Sequence, residues 1–458
     1  MARPAASTES LDDIDPLDFA LSERELKHIF RTEVIPRLFE GRQTFAGAPV
    51  LILGGVPGSG KSTLFAVLQR SHPYDFVVLD RDWFRQFQTH PAAKEWIARD
   101  PLAMPYVTED VAGKLLKMAA DHAIAHGYPL VVENSLRTDY PLKLVDKAAE
   151  AGRPVHLATM AVPPWRSRLD ALTRFLLPGV PAARWTQHDS HEKCIPEVPK
   201  TLAKLERHPN VRRIDLSDRA RFRYRNTRGP DGEWRADARA VEVYQATVAR
   251  EPTPEEAPDW LRQYWANVAL AVDRDKLSAT TRPRFALLHA DADHLARYAY
   301  RGEQESRDLR RHRAAQQVLR HILDASEQGV PGKLLPASPL MFLCGDADLA
   351  GMLAGPAHAP ALLDAAIPYL RREQVRRTQI PPEQAEVERR VREESRSHLR
   401  TSVRGGPGLA RVDFPRPVSP AGTSPATSQA ARRARRRELL GNVAKDRLTV
   451  RGGATRAG

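Results

Sequence analysis

One stretch, Gly55-Val-Pro-Gly-Ser-Gly-Lys-Ser62, constrains this 458-residue chain more than any other feature. It fits G-x-x-x-x-G-K-[ST], follows an apolar run at Val50–Leu53 and leads into helical spacing over Ser62–Gln69. A strand that turns through glycines into a helix points backbone N–H groups at an anion, and glycine removes the Cβ atoms that would block the approach. Gly55, Pro57, Gly58, Ser59, Gly60, Lys61, Ser62 and Thr63 are therefore the expected cradle of a nucleoside triphosphate. Lys61 reaches the β- and γ-phosphates, and the Ser62 hydroxyl is the expected Mg²⁺ ligand.

The flanking chain repeats the same alternation. Apolar runs at Phe76–Leu79, Leu130–Val132, Val155–Ala161 and Val211–Leu216 read as strands. Helical spacing at Tyr106–His126 and Pro141–Ala151 separates them. Strand–helix alternation at this pitch implies parallel pairing through right-handed crossovers, hence an α/β fold with a P-loop kinase-type parallel sheet flanked by helices. An earlier helix should start at Ser22, where Ser22-x-x-Glu25 has capping-box spacing, and run to about Leu38. We divide the chain into a disordered N-terminus (1–20), the kinase-like domain (21–220), a mostly helical region of unassigned role (221–400) and a disordered basic tail (401–458). Within the third part Trp260–Val272, Arg307–Ala325 and Ala361–Arg377 have helical spacing, and Arg371–Arg400 reads as a long solvated helix.

The net charge of +13 does not belong to the P-loop region. Residues 1–220 hold 29 Lys+Arg against 28 Asp+Glu, and the other 41 and 29 lie in 221–458. The Arg432–Arg437 block concentrates part of that excess, so the expected nucleic-acid contact is weak, nonspecific and confined to the tail. Two cysteines without ligand spacing argue against a disulfide framework or a zinc site, and no run of about 18 apolar residues suggests a membrane span. A cytoplasmic location is expected.

Further candidate residues sit where such sheets place ligand groups, at strand ends. Asp80 and Asp82 follow the second strand as a carboxylate pair on an extended segment, to orient and deprotonate a hydroxyl or merely to cap the next helix. Glu133 ends the third strand, placed to hold a metal-bound water or a substrate hydroxyl, or to cap the next turn. Composition alone makes Arg174 and Arg184 surface arginines. His289-Ala-Asp-Ala-Asp-His294 has ligand types but no defined geometry, and Trp83, Trp165 and Trp185 suit core packing at least as well as base stacking.

Taken together, Gly54–Thr63, Leu79-Asp-Arg-Asp-Trp-Phe-Arg85, His90-Pro91, Gly127-Tyr-Pro-Leu-Val-Val-Glu-Asn-Ser-Leu-Arg137, Met160-Ala-Val-Pro163, Arg174 and Arg184-x-Thr186…His191 resemble the zeta toxins in content, order and spacing. The resemblance covers about residues 45–220. It implies an ATP- and Mg²⁺-dependent kinase that phosphorylates a sugar hydroxyl of UDP-N-acetylglucosamine, and an antitoxin partner. Carried over, Lys61 and Ser62 would hold ATP and metal, Asp82 would be the base, and Arg174 and Arg184 would clamp phosphates. Asp80, Glu133, Ser135 and Arg137 would lie beside the substrate. Two positions depart from the family: Asn134-Ser135 stands where Gly-Thr is common, and Lys117 where a substrate-associated carboxylate is expected. The residues alone leave two other readings: a P-loop kinase for another hydroxyl, such as an antibiotic or a nucleic-acid end, and a non-catalytic ATP-binding interaction protein.

Overall fold

In the computed structural model the described residues are 11, 14–176, 185–274, 276–278, 280–300, 305–336, 338–343 and 371–400. All of them fall within one unit, Met1–Ser402. Their sheet has six strands in the order β2-β3-β1-β4-β5-β6. These are β1 Val50–Gly54, β2 Val77–Leu79, β3 Leu130–Asn134, β4 Val155–Met160, β5 Val211–Ser217 and β6 Phe222–Thr227. The first five run parallel; β6 is antiparallel to β5. The α/β architecture expected from the sequence is thus present.

Alternation within β1 explains why both faces are covered. Val50 and Ile52 join one core with Val111, Leu115, Leu144 and Val198 from the helices Glu109–Ala125, Tyr140–Glu150 and Cys194–Arg207. Leu51 and Leu53 point the other way, to Leu64 and Leu68 of the helix Lys61–Gln69. A strand buried on both sides tends to read as a continuous apolar run, as β1 does; β4 is buried throughout but carries Thr159 and His156, the latter bonded to Asp215.

Several local expectations need revision. β6 was not anticipated, although Phe222-Arg-Tyr-Arg alternates with period two; its edge position leaves alternate side chains exposed. The expected Tyr106–His126 helix is interrupted at Thr108, whose hydroxyl bonds back to the Met104 carbonyl at 2.6 Å, so Met104–Val107 and Glu109–Ala125 are separate helices. The Ser22 capping box is formed, and the helix Glu23–Ile29 continues through a wider π-helical turn, Phe30–Val34, to Ile35–Leu38. That wider turn accommodates Pro36.

In the second half Glu256–Asp273, Arg282–Ala299 and Glu305–Glu327 are helices. Their core contains Trp260, Tyr264, Phe285 and Leu319, together with Trp165, Leu169, Leu172 and Phe175 from the helix Pro164–Leu176. The long solvated helix expected at Arg371–Arg400 is instead two, over 371–379 and Pro382–Arg400, separated at Pro381-Pro382. It is not solvated throughout either: Arg376 is buried between Glu373 and Glu388, with bonds of 2.7–2.9 Å to both. Of the expected Ala361–Arg377 helix, 361–370 lies outside the described residues, as do Cys344 and the whole 401–458 segment.

Candidate active site

The site is assembled at the carboxyl ends of β1, β2 and β3. The P-loop leaves β1 with positive φ at Gly55, Gly58 and Gly60. At Gly58 the requirement is twofold. Its φ is +78°, and a Cβ there would lie 2.2 Å from the Ser167 carbonyl oxygen and 2.8 Å from the Ala171 nitrogen. The loop therefore nests directly against the helix Pro164–Leu176. Arg219, from the β5–β6 turn, adds a bond to the Gly58 carbonyl oxygen at 2.6 Å and pairs with Asp170. Sequence reasoning missed Arg219; only the unanticipated β5–β6 hairpin brings it here.

Lys61 opens the following helix and is half-buried, its ammonium donating to the Gly55 carbonyl at 3.0 Å. Burial pulls its pKa below the ordinary lysine range; Glu133 and Asp80 oppose that pull and Arg174 reinforces it. Four residues from four separate segments thus share one electrostatic neighbourhood. Ser62 Oγ lies 3.4 Å from Glu133 Oε1, so a hydroxyl and a carboxylate oxygen face each other beside the P-loop. Two hard oxygen donors at that spacing suit Mg²⁺, which takes one or two protein oxygens and completes its shell with phosphate and water. Among the described residues no group of three or more His, Cys, Asp or Glu gathers as a metal site. The residues of 289–294 instead turn to separate partners, Asp291 to Arg168, Asp293 to His312 and His294 to Glu251.

The acid pair differs from the sequence expectation. Asp80 is the N-cap of the short helix Arg81–Phe84, its Oδ1 accepting from the Asp82 N–H at 3.0 Å. Asp82 therefore sits in a helical first turn, not on an extended segment. Its Oδ1 accepts from Arg85 Nε at 3.1 Å. The nearly buried Arg85 also bonds Glu109 at 3.0 Å, Thr108 Oγ1 at 2.7 Å and the Pro105 carbonyl at 3.0 Å. Arg81 pairs with the same Glu109. Arg81 and Arg85 hold the Glu109 carboxyl below the usual range against a burial effect that works to raise it. Arg85 and Glu109 were not among the sequence candidates; their capacity to fix Asp82 depends on a helix contact that spacing does not reveal.

Beyond Glu133 the chain turns sharply. Leu136 has φ +57°, the only non-glycine residue with positive φ among those described, and its N–H donates to Asn134 Oδ1 at 2.7 Å. Leu136 is held there by burial against Gly54, and non-glycine residues in this region are strained. The turn brings Ser135 to the buried Cys194, whose thiol is pushed up by burial, and Arg137 to Ser190 Oγ at 3.3 Å. Lys117 is exposed and lines a cleft of about 400 Å³ with Asp121, Thr138, Tyr140 and Lys143.

Arg174 donates to Thr186 Oγ1 at 3.2 Å. Arg184 lies outside the described residues. Trp165 and Trp185 are core residues, and Trp83 packs edge-on against Phe84 and Phe87. Beneath the Pro164–Leu176 helix, His191 bonds Ser167 Oγ at 3.0 Å and Glu192 at 2.8 Å, and Arg168 bridges Glu192 to Asp291. The Ser–His–Glu order has no nucleophilic use, because Ser167 and His191 are fully buried; it is a brace.

Residues 38–228 match the family model described as Zeta toxin. Toxin PezT of Streptococcus pneumoniae is 28% identical over 204 residues, spanning 44% of this chain and 79% of PezT. Toxin zeta of Streptococcus pyogenes is 25% identical over 177 residues, 38% of this chain and 61% of that protein. Among solved structures, the PezAT toxin–antitoxin system of S. pneumoniae aligns with 23% identity and a TM-score of 0.45, over 56% of this chain and 98% of that one.

Proposed function

We propose, from the match of residues 38–228 to the Zeta toxin family model, that the protein is an ATP-dependent kinase toxin that phosphorylates a sugar hydroxyl of UDP-N-acetylglucosamine. The observation that carries the reading is the convergence of Lys61 and Ser62 from the helix start after β1, Glu133 from the end of β3 and Arg174 from the last turn of the helix Pro164–Leu176, with Asp80 and Asp82 beyond the end of β2. A bare nucleotide switch has no use for an oriented acid pair beside the γ-phosphate position.

In this scheme the glycine cradle and Lys61 bind the β- and γ-phosphates. Asp82, held by Arg85, accepts the acceptor hydroxyl's proton as its oxygen bonds to the γ-phosphorus and the β–γ bridge breaks. Lys61, Arg174 and Arg184 balance the charge that moves onto the departing β-phosphate oxygens. Ser62 and Glu133 would hold Mg²⁺, which neutralises phosphate charge when bound. Glu133, Ser135 and Arg137 would contact the acceptor. An antitoxin that silences this activity, and a cytoplasmic site of action, belong to the same proposal. Among the described residues no helix is long and apolar enough to cross a membrane.

A second reading keeps the chemistry but changes the acceptor, and Lys117 favours it. This residue lines a cleft whose other charged residues are Lys143 and Lys147 with Asp121 and Asp139, so a lysine stands where a substrate carboxylate is expected. The deciding experiment incubates the full chain with ATP, Mg²⁺ and a panel of nucleotide sugars and follows mass. Gain of one phosphoryl group on UDP-N-acetylglucosamine is the expected result; transfer only to a different hydroxyl would select the second reading, and ATP turnover without any acceptor product would sink both.

A further inference from the structure

We propose that the helices Glu256–Asp273 and Arg282–Ala299 are part of the phosphotransfer machinery, with Arg284 a positioning residue for Arg174. The inference rests on the kinase reading above and adds to it the helical half, which the family match over residues 38–228 does not cover.

The helix Pro164–Leu176 lies between two surfaces. One is the P-loop, met at Gly58 by Ser167 and Ala171. The other is the helical layer. Trp260 Nε1 donates to the Trp165 carbonyl at 2.9 Å, and Gln263 and Asn267 both donate to Thr173 Oγ1 at 2.7 Å. Thr173 immediately precedes Arg174. The same layer reaches Arg174 from its other side: Arg174 bonds Thr186 Oγ1, and the carbonyls of Thr186 and Gln187 accept from Arg284 Nη2 at 3.2 and 3.3 Å. Asp291, two turns along from Arg284, anchors Arg168 at 2.8 Å. Arg174 is therefore gripped through the residue before it and through its hydrogen-bond partner, both by helices of the second half.

Arg284 is costly to bury. It is 1% exposed, and among the described residues its hydrogen bonds go to carbonyls, not to a carboxylate. Burial lowers its pKa to about 10, with Glu192 and Asp291 acting only at longer range to raise it. Desolvating a guanidinium is unfavourable, and a methionine or leucine would fill the space without that penalty. What a hydrophobic residue would not do is hold two adjacent carbonyls, and with them Thr186, in one place. Immobilising a cation ahead of the reaction is how such a group becomes effective, because no reorganisation is left for the transition state.

The test uses the full chain and compares its affinity for ATP with that for ADP by calorimetry, since only ATP carries the phosphate that Arg174 would face. Arg174→Ala should lower the ATP-to-ADP affinity ratio about tenfold, the scale of one charge-assisted hydrogen bond. Arg284→Met should lower the ratio several-fold, Arg284→Lys should recover part of the loss, and Arg174→Ala/Arg284→Met should lose little more than Arg174→Ala alone. Asn267→Ala, which removes one of the Thr173 bonds and leaves the Gln263 bond to Asp170 in place, should shift the ratio the same way and serves if Arg284→Met does not fold. An ATP-to-ADP ratio equal to that of the parent in these folded variants overturns the positioning role and leaves the kinase reading standing. A parent chain that binds neither nucleotide overturns both.

Discussion

The two halves of the candidate site are built by different means. The nucleotide half is made of backbone: three glycines at positive φ, a helix start and one lysine, all within Gly55–Ser62. The acceptor half is made of side chains drawn from distant segments, with Asp82 fixed by Arg85, Arg85 by Glu109, and Glu109 also by Arg81. Backbone geometry of this kind tolerates one solution and serves any nucleoside triphosphate. A side-chain lattice can be retuned one residue at a time, as Lys117 illustrates. The nucleotide half should therefore fail abruptly under substitution, and the acceptor half by degrees.

The largest effect is expected at Lys61. Lys61→Ala removes the cation that meets the β- and γ-phosphates but no core atom, so turnover should fall below detection while the melting temperature changes little. Measured phosphotransfer near the parent rate in a folded Lys61→Ala protein would remove the P-loop from the chemistry and dissolve the contrast.

Next comes the acid pair, whose members should not be equivalent. Asp82→Asn keeps shape and hydrogen bonding while removing basicity, and should lower turnover roughly 10²–10⁴-fold with ATP affinity near normal. Asp80→Asn keeps a good helix cap. However, it removes a carboxylate that acts on Lys61, so its effect should appear in nucleotide binding. The comparison is made on turnover and ATP affinity in both variants. Loss of ATP binding in Asp82→Asn, with none in Asp80→Asn, would reverse the assignment. A smaller effect, about tenfold on acceptor use, is expected for Arg85→Lys, which loses the geometry of the guanidinium fork but keeps its charge.

These two halves were also unequally legible in the sequence. The P-loop could be read residue by residue because strand, turn and helix are contiguous; β1 to β3 contain apolar runs, while β4 and β5 mix apolar residues with His156, Thr159, Arg212, Arg213 and Asp215. β6 was missed because an edge strand with exposed arginines carries only half the apolar pattern. The acid pair was seen, but its extended reading ran two residues past the cap that Asp80 forms; the capping alternative holds for Asp80, and Asp82 lies in the helix. Arg85, Glu109, Arg219 and Arg284 could not have been found by spacing. Arg85 meets Asp82 three residues away, but its anchor Glu109, like the partners of Arg219 and Arg284, lies more than 20 residues off in sequence, and packing decides which of many arginines meets which carboxylate or carbonyl.

The smallest expected effect separates the halves by pH. His191, in the brace under the Pro164–Leu176 helix, and His156, in β4 beside Asp215, are both held below the ordinary histidine range, chiefly by burial. Their neighbours in the fold are charged: Glu192 and Asp215 act to raise them, while Arg168, Arg284, Arg213 and Arg225 act to lower them. In the unfolded chain each histidine takes up a proton as pH falls through about 6.5, whereas the folded chain resists, so the unfolded state binds more protons and stability falls on acidification. The carboxylates behave differently. Glu192 and Asp215 are depressed, so their contribution is intact above about 4.3 and is lost only at lower pH. Between pH 7 and 5 the loss therefore belongs to the histidines, on the order of 1 kcal/mol for each buried ring. His289, pulled down to about 4 chiefly by burial, and His321, also lowered by burial, contribute in the same window, while His72 and His122 are less buried and should add less. Denaturant unfolding of the full chain at pH 7 and pH 5 measures the difference, and His191→Gln, which keeps a donor toward Ser167 without titrating, should reduce it. Stability that is flat or rising from pH 7 to pH 5 would show that these rings are not held neutral. The P-loop support would then be no more sensitive to acid than the acceptor half, where among the described residues Asp82, Arg85, Glu109 and Arg81 interlock without a histidine.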